Sequence, residues 1–376
     1  MKKCIMVSDS FKGTLSSREI CEIARRAVPK YFSACEVISI PVADGGEGTV
    51  DCFVEALSAQ RVAAAVSGPY GEPVEAAYAK KDALAVIEMA SAAGLPMVAD
   101  RKAPSVTTTY GVGQLIRHAV EHGCREVLLG LGGSCTNDGG CGCAAALGVQ
   151  FFDAAGETFV PRGESLSRIA HIDASACREL LQDVRITCIC DVDNPLHGPA
   201  GAAHVFAPQK GADAAMVKLL DGELQALAGI LEKELGISIA DMPGAGAAGG
   251  FGGGAVALLG AELRPGIEVV LDTVDFDRHV QDADLVITGE GRVDSQSVRG
   301  KVISGVARRT SAAGVPLIVI AGGIAEGAEE AYGLGVTAMF GIDREAVAFE
   351  TYAHKSAENY RRTLEDVLRL IRAVKK

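Results

Sequence analysis

The sequence predicts an α/β protein of two domains, one of them interrupted by the other. Three observations predict this. A short apolar run, a polar glycine loop and an amphipathic helix follow one another twice in the first 60 residues, and the pattern returns after about residue 265; this is how parallel βαβ units read. Between these stretches, residues 61–67, 74–81 and 83–89 are closely spaced β-like runs joined by GPYGEP and KKD, which reads as antiparallel hairpins. Finally, 376 residues with 45 Gly, no Trp and 5% aromatics suit tightly wound layers packed by small side chains, at about two domains' length. The economical division is a discontinuous parallel-sheet domain, residues 1–60 and 266–376, with an α/β domain of mixed sheet, 61–265, inserted in it.

Each element follows from local pattern. Residues 4–8 (CIMVS) form a buried strand ending at Asp9-Ser10. Ser16 with Glu19 is a capping box opening a helix that Pro29 is expected to stop. The strand 36–42 ends in Ala43-Asp44-Gly45-Gly46-Glu47-Gly48, and a helix carrying Val50, Phe53, Val54 and Leu57 follows. Beyond the hairpins come a helix over 110–122, a strand over 126–131, a short helix over 141–147, a strand over 185–190 and a long helix over 216–235. Strands at 284–288, 316–321 and 336–341 and a helix over 351–375 close the chain.

Composition removes several functions. The net charge is −12 and no basic cluster offers a nucleic-acid footprint. The N-terminal MKKCIMVSDSFKG is too short for a secretory apolar core, and nothing approaches the roughly 20 apolar residues of a membrane helix. Eleven cysteines without a secretory signal read as reduced thiols of a cytoplasmic protein. Cys141-Gly-Cys143 and Cys188-Ile-Cys190 lack the spacing of a zinc site.

Chemistry concentrates where strands end. Five such loops, DSFKGT, ADGGEG, GGSCTNDGG, CDVDNP and TGEGRVDSQ, each carry an acid, and loops beyond the carboxyl ends of parallel strands converge on one crevice. Glycines at 130, 132 and 133 suit close backbone approach and would leave amides free for an anion; Asn137 or Asp138 could equally cap the helix behind them. Gly244-x-Gly246-x-x-Gly249 is a formal dinucleotide motif, but no convincing strand precedes it and no ribose-binding acid follows. Gly300-Lys301 is followed by Val302, so there is no phosphate loop of the G-x4-G-K-[ST] kind, and the protein-kinase motifs are missing. Phosphoryl transfer would need carboxylates and cations: Asp9, Asp44, Glu47, Asp138, Asp191, Asp193, Glu290 and Asp294 are candidate acids, and Lys12, Lys210, Arg292 and Lys301 candidate cations.

DSFKGTLSS (9–17), PVADGGEGTVD (41–51), TTYGVGQLI (108–116), GLGGSCTNDGGCG (130–142), DVDNPLHGPAGAAHVFAPQKGA (191–212), GAGAAGGFGGGAVALLGAELRPGIE (244–268) and TGEGRVDSQSVRGKV (288–302) closely resemble the bacterial type-1 glycerate kinase family. The resemblance runs nearly end to end. Within these motifs the chain substitutes mostly small residues, including Cys135, Cys141 and Cys143, and MFGIDREAVAFETYA (339–353) departs from the usual Ser- and Met-rich version. The resemblance implies Mg²⁺- and ATP-dependent phosphorylation of D-glycerate, most often at the 2-hydroxyl. It also implies a split Rossmann-like domain, a second α/β domain, and an active site in the cleft between them.

On that reading Lys12 and Arg292 pair with the glycerate carboxylate, and Lys12 is also expected to be catalytic. Asp191 orients or deprotonates the hydroxyl, with Asp193 and Asn194 at the substrate. Asp44 and Glu47 hold the metal. Gly132, Gly133, Ser134, Thr136, Asn137 and Asp138, with Gly289, Glu290, Gly291, Lys210 and Lys301, bind the nucleotide phosphates. The assignments can be permuted. Rival readings are a 3-phosphoglycerate-forming kinase, a nicotinamide-dependent oxidoreductase resting on the Gly244 motif, and a non-catalytic sugar-acid-binding regulator, which should have lost the loop acids. The partners implied are small molecules, glycerate and ATP, with no nucleic acid and no membrane; homo-oligomerisation is left open.

Overall fold

A computed structural model describes the chain except residues 12, 43, 44, 47, 296, 298–300, 345–350, 352, 375 and 376. It divides into two compact units. The first comprises Met1–Asp44, Glu55–Leu57 and Pro265–Lys376, and the second Gly45–Val54 and Ser58–Arg264.

In the first unit five parallel strands lie in the order Val336–Gly341, Leu317–Ala321, Leu285–Gly289, Lys3–Ser8, Glu36–Pro41. The three central strands are buried along their whole length, as expected where both faces of a parallel sheet are covered. Cys4, Met6, Leu285, Ile287, Ile318 and Ile320 share one core with Ile20, Ala24, Tyr360 and Leu364. There Phe11 meets Tyr360 edge to face, centroids 5.7 Å apart.

The capping box forms: the Glu19 amide donates to Ser16 Oγ (3.2 Å) and the Ser16 amide to Glu19 Oε2 (2.9 Å). Pro29 does not stop this helix, which spans Ser17–Tyr31. Proline in a last turn removes one intrahelical bond, and the next, from the Phe32 amide to the Val28 carbonyl (3.0 Å), still closes the turn. The final helix begins at Ser356, after a tight turn at Ala353–Lys355 in which Ser356 Oγ donates to the Ala353 carbonyl (2.8 Å). That is later than residue 351, the start expected from sequence.

The second unit has a six-stranded mixed sheet in the order Glu262–Arg264, Arg185–Ile189, Glu126–Gly130, Leu84–Glu88, Pro73–Lys81, Gln60–Ser67. The first four strands run parallel and the last two join as antiparallel hairpins. Both sheets and their flanking helices make the α/β architecture expected, with one parallel and one mixed sheet.

Residues 244–254 seat a helix, Ala247–Leu259, whose start contains three left-handed residues, Ala248 (φ 53°), Gly249 and Gly250. No strand precedes this segment. A Cβ on Gly246 would lie 2.3 Å from the Pro195 carbonyl oxygen, one on Gly249 2.1 Å from that of Thr136, and one on Gly254 1.8 Å from that of Gly139. These glycines therefore press against the chain's own backbone, which explains them by packing and, with no strand leading into the segment, takes the support from the nicotinamide reading.

Gly254→Ala should destabilise the protein by about 1–3 kcal/mol through overpacking. By contrast Gly229, on the exposed side of the helix Ala214–Leu235, has nothing within 4 Å of an added Cβ, and Gly229→Ala should stabilise by roughly 0.5–1 kcal/mol. Chemical denaturation of the two variants checks both signs.

Candidate active site

In the first unit the strands Lys3–Ser8 and Leu285–Gly289 run in parallel with Ser8 opposite Gly289, so two loops from opposite ends of the sequence begin level. The Asp9 amide donates to the Gly289 carbonyl (3.0 Å) and Ser8 Oγ to the same oxygen (3.1 Å). The sheet order reverses here: the chain's second strand lies on one side of Lys3–Ser8 and its later strands on the other. Such a switch point opens a crevice beyond the strand ends.

Glu290 sits at this point, only 6% exposed, with its Oε1 lacking a hydrogen-bond partner among the described residues. Burial pushes its carboxyl up to about 7; the Ser297 hydroxyl and the Lys301 charge oppose the shift, and Asp9 and Asp294 add to it. One residue earlier in the chain than Gly289, Thr288 is also buried with its Oγ1 unpartnered. Arg292 is exposed, its Nε 4.0 Å from Asp294 Oδ2. Lys301 is exposed at the start of the helix Val302–Ala313, where its carbonyl accepts from Ser304 Oγ (2.8 Å). Gly289 is explained by packing, since a Cβ there would meet the Ile320 carbonyl oxygen at 2.0 Å. The Gly291 carbonyl accepts from the Gly323 amide (3.1 Å).

In the second unit the Gly132–Asp138 loop follows the strand Glu126–Gly130. Asp138 is fully buried and its carboxylate faces donors of its own unit: the Thr109 amide (2.7 Å) and hydroxyl (2.8 Å), Thr108 Oγ1 (3.4 Å), and the amides of Gly140 (3.2 Å) and Gly142 (3.3 Å). Burial raises its pKa and these bonds lower it, with burial dominant. Gly140, not the Asn137 or Asp138 expected, is the N-cap of the helix Cys141–Leu147, and Asp138 accepts from amides at its start.

Lys210, 2% exposed, donates from Nζ to Ser134 Oγ (2.8 Å) and to the Thr136 carbonyl (2.7 Å); burial pulls its pKa down to about 8, against the pull of Cys135 and Asp138. The loop amides expected to be free are partly engaged: Gly132 donates to the Gly45 carbonyl (2.9 Å) and Cys135 to that of Ala93 (2.9 Å). Thr136 Oγ1 and both amide atoms of Asn137 are buried without partners.

Elsewhere in this unit Asp191 and Asp193 are exposed beyond the strand Arg185–Ile189. Asn194 instead braces its own loop, donating from Nδ2 to the Ala200 carbonyl (2.8 Å) and accepting at its carbonyl from the Gly246 amide (3.0 Å). The glycine segment thus touches both the 191–195 loop, at Gly246, and the 132–138 loop, at Gly249.

Lys12, Asp44 and Glu47 lie outside the described residues. Sequence reasoning assigned no role to Thr108, Thr109 or Ser297, though each stands inside a motif quoted for the family resemblance. Their signal was a hydroxyl set beside glycines and acids.

A model of the glycerate kinase family matches residues 4–372. A glycerate kinase of Bacillus subtilis is 45% identical over 99% of this chain and 98% of its own, and a glycerate 2-kinase of Escherichia coli is 42% identical over 90% of each. A crystal structure from Salmonella typhimurium, provisionally described as a glycerate kinase 2, superposes with a TM-score of 0.88 at 39% identity over 99% of each chain. The chain belongs to the glycerate kinase family.

Proposed function

We propose that this chain is an ATP-dependent kinase that phosphorylates D-glycerate at its 2-hydroxyl. The observation that carries the reading is end-to-end similarity to relatives named glycerate kinase, at 39–45% identity over nearly the whole chain. The unpartnered buried groups at two strand-end loops support it. They are acceptors and donors that the fold holds out of water without using them.

The two units each hold candidate groups of their own. At the first, Arg292 is a cation for the glycerate carboxylate, and Lys301, at a helix N-terminus, suits a phosphate oxygen. Lys12, outside the described residues, keeps its expected place beside the substrate carboxylate. At the second, Thr136 and Asn137 are the groups of the 132–138 loop left to meet the nucleotide, with the backbone of Gly133 and Ser134. Asp138 and Lys210 hold that loop in shape from within. Asp191, exposed at a strand end, orients the acceptor hydroxyl.

Among the described residues no group of three or more His, Cys, Asp or Glu side chains could hold a metal ion. Mg²⁺ arriving on a nucleotide needs only one or two protein carboxylates, because phosphates and water complete its shell. Asp44 and Glu47 are assigned that part. When bound, the ion neutralises phosphate charge.

All eleven cysteines are free thiols and no described helix is long and apolar enough to cross a membrane; with the family match, these features support a cytoplasmic enzyme.

Phosphorus NMR of the product formed from ATP, Mg²⁺ and D-glycerate tests activity and position together. The expected resonance is that of 2-phosphoglycerate; 3-phosphoglycerate would correct the regiochemistry, and no phosphoglycerate would end the proposal. Asp191→Asn should lower kcat by roughly 10–100-fold, the scale of a misplaced reactant, with KM for ATP little changed. Steady-state kinetics showing undiminished turnover would remove Asp191 from the acceptor site, and a loss confined to ATP affinity would move it to the nucleotide.

A further inference from the structure

Glu290 was expected among the phosphate-binding residues, and its surroundings argue against that part. It is buried at the switch point of the parallel sheet, with Asp9 and Asp294 close enough to repel its charge. A carboxylate grouped with carboxylates repels a phosphate oxygen. One of its own oxygens, Oε1, is sequestered from water with nothing to bond, although buried acceptors are normally satisfied. An acceptor held this way is suited to a ligand that donates a hydrogen, and the donor on a hydroxy acid is its alcohol.

We propose that Glu290 is the catalytic base that takes the proton from the glycerate hydroxyl during phosphoryl transfer. The step balances without any further reactant. The hydroxyl oxygen forms a bond to the γ-phosphorus of ATP, the bond from that phosphorus to the β,γ-bridging oxygen breaks, ADP leaves with that electron pair, and the hydroxyl proton passes to the Glu290 carboxylate.

The electrostatics agree with the geometry. Burial, with Asp9 and Asp294, brings the carboxyl to about 7, while the Ser297 hydroxyl and the Lys301 charge favour the ionised form. A base is most effective when its pKa lies near the working pH. Because the ionised form is the active one, activity should fall as pH drops through that value.

This inference rests on the kinase reading above, and the experiment separates the two. For the wild-type enzyme with saturating ATP and Mg²⁺, kcat/KM for D-glycerate should fall about tenfold per unit below pH 7, as titration of one base requires. Glu290→Gln should lose roughly 100-fold or more in kcat, keep its KM for ATP and its thermal midpoint, and show no acid limb. Ser297→Ala, which removes a hydroxyl that favours the ionised carboxylate, should move the limb to higher pH. A Glu290→Gln enzyme with turnover near wild type, or with the acid limb intact, overturns the proposal. Should that variant fold poorly, a limb that stays in place in Ser297→Ala overturns it instead. A wild-type chain that makes no phosphoglycerate overturns the kinase reading and this one together; an active wild type matched by an active Glu290→Gln overturns this one alone.

Discussion

The constraint on which each unit depends is that its parallel strands end level. In the first sheet Ser8 stands opposite Gly289, and in the second Gly130 stands opposite both Glu88 and Ile189. Level ends let loops from remote parts of the chain meet at one edge, which is what a polar site assembled from short motifs requires. The same geometry crowds backbones. A side chain on Gly289 would strike the Ile320 carbonyl, and one on Gly130 would lie 2.3 Å from the Gly45 carbonyl oxygen. Many of the glycines that look like ligand-binding residues are therefore needed first for strand ends to approach.

Polar groups taken out of water beside those glycines fall into two kinds. Asp138 and Lys210 have partners that offset their burial, several donors around one and two acceptors on the other. Removing such a partner leaves a buried group unbonded at a cost of about 1–3 kcal/mol, so these residues stabilise the loop and fix its shape. Thr136, Asn137 and Glu290 carry atoms with no partner at all. The fold bears that desolvation without return from its own contacts, and a ligand able to bond those atoms recovers it.

Much of this was legible in the sequence. The strands, the hairpins after residue 60, the Ser16–Glu19 box and the return of the parallel pattern follow from periodicity and turn chemistry, because those are local. Pro29 misled because a proline in the last helical turn removes little. The roles of the acids were less legible. Asp138 and Glu290 both stand among glycines after a buried strand, and nothing adjacent distinguishes them. Their difference comes from residues far along the chain: Thr108 and Thr109 supply donors to Asp138, whereas Asp9 brings a like charge to Glu290. The loop amides misled for the same reason, since Gly132 bonds the Gly45 carbonyl. Residue type shows that a group can bind; only tertiary pairing shows whether it is already bound.

A net charge of −12 opposes the approach of an anionic substrate, and the placement of the acids bears on it. Exposed acids such as Asp193 are screened by water and salt over about 10 Å, so they oppose an arriving anion weakly. A buried acid is screened far less and would repel strongly if it stayed ionised. Glu290 avoids the extreme because its own burial and its acidic neighbours bring its carboxyl up to about 7, so it holds its proton more readily than an exposed carboxyl does. An approaching phosphate favours the protonated state further, while Lys301 and any cation carried by the nucleotide favour the ionised state. The protonation of one buried carboxyl thus adjusts to what lies beside it, which eases an anion's approach to a loop rich in acids.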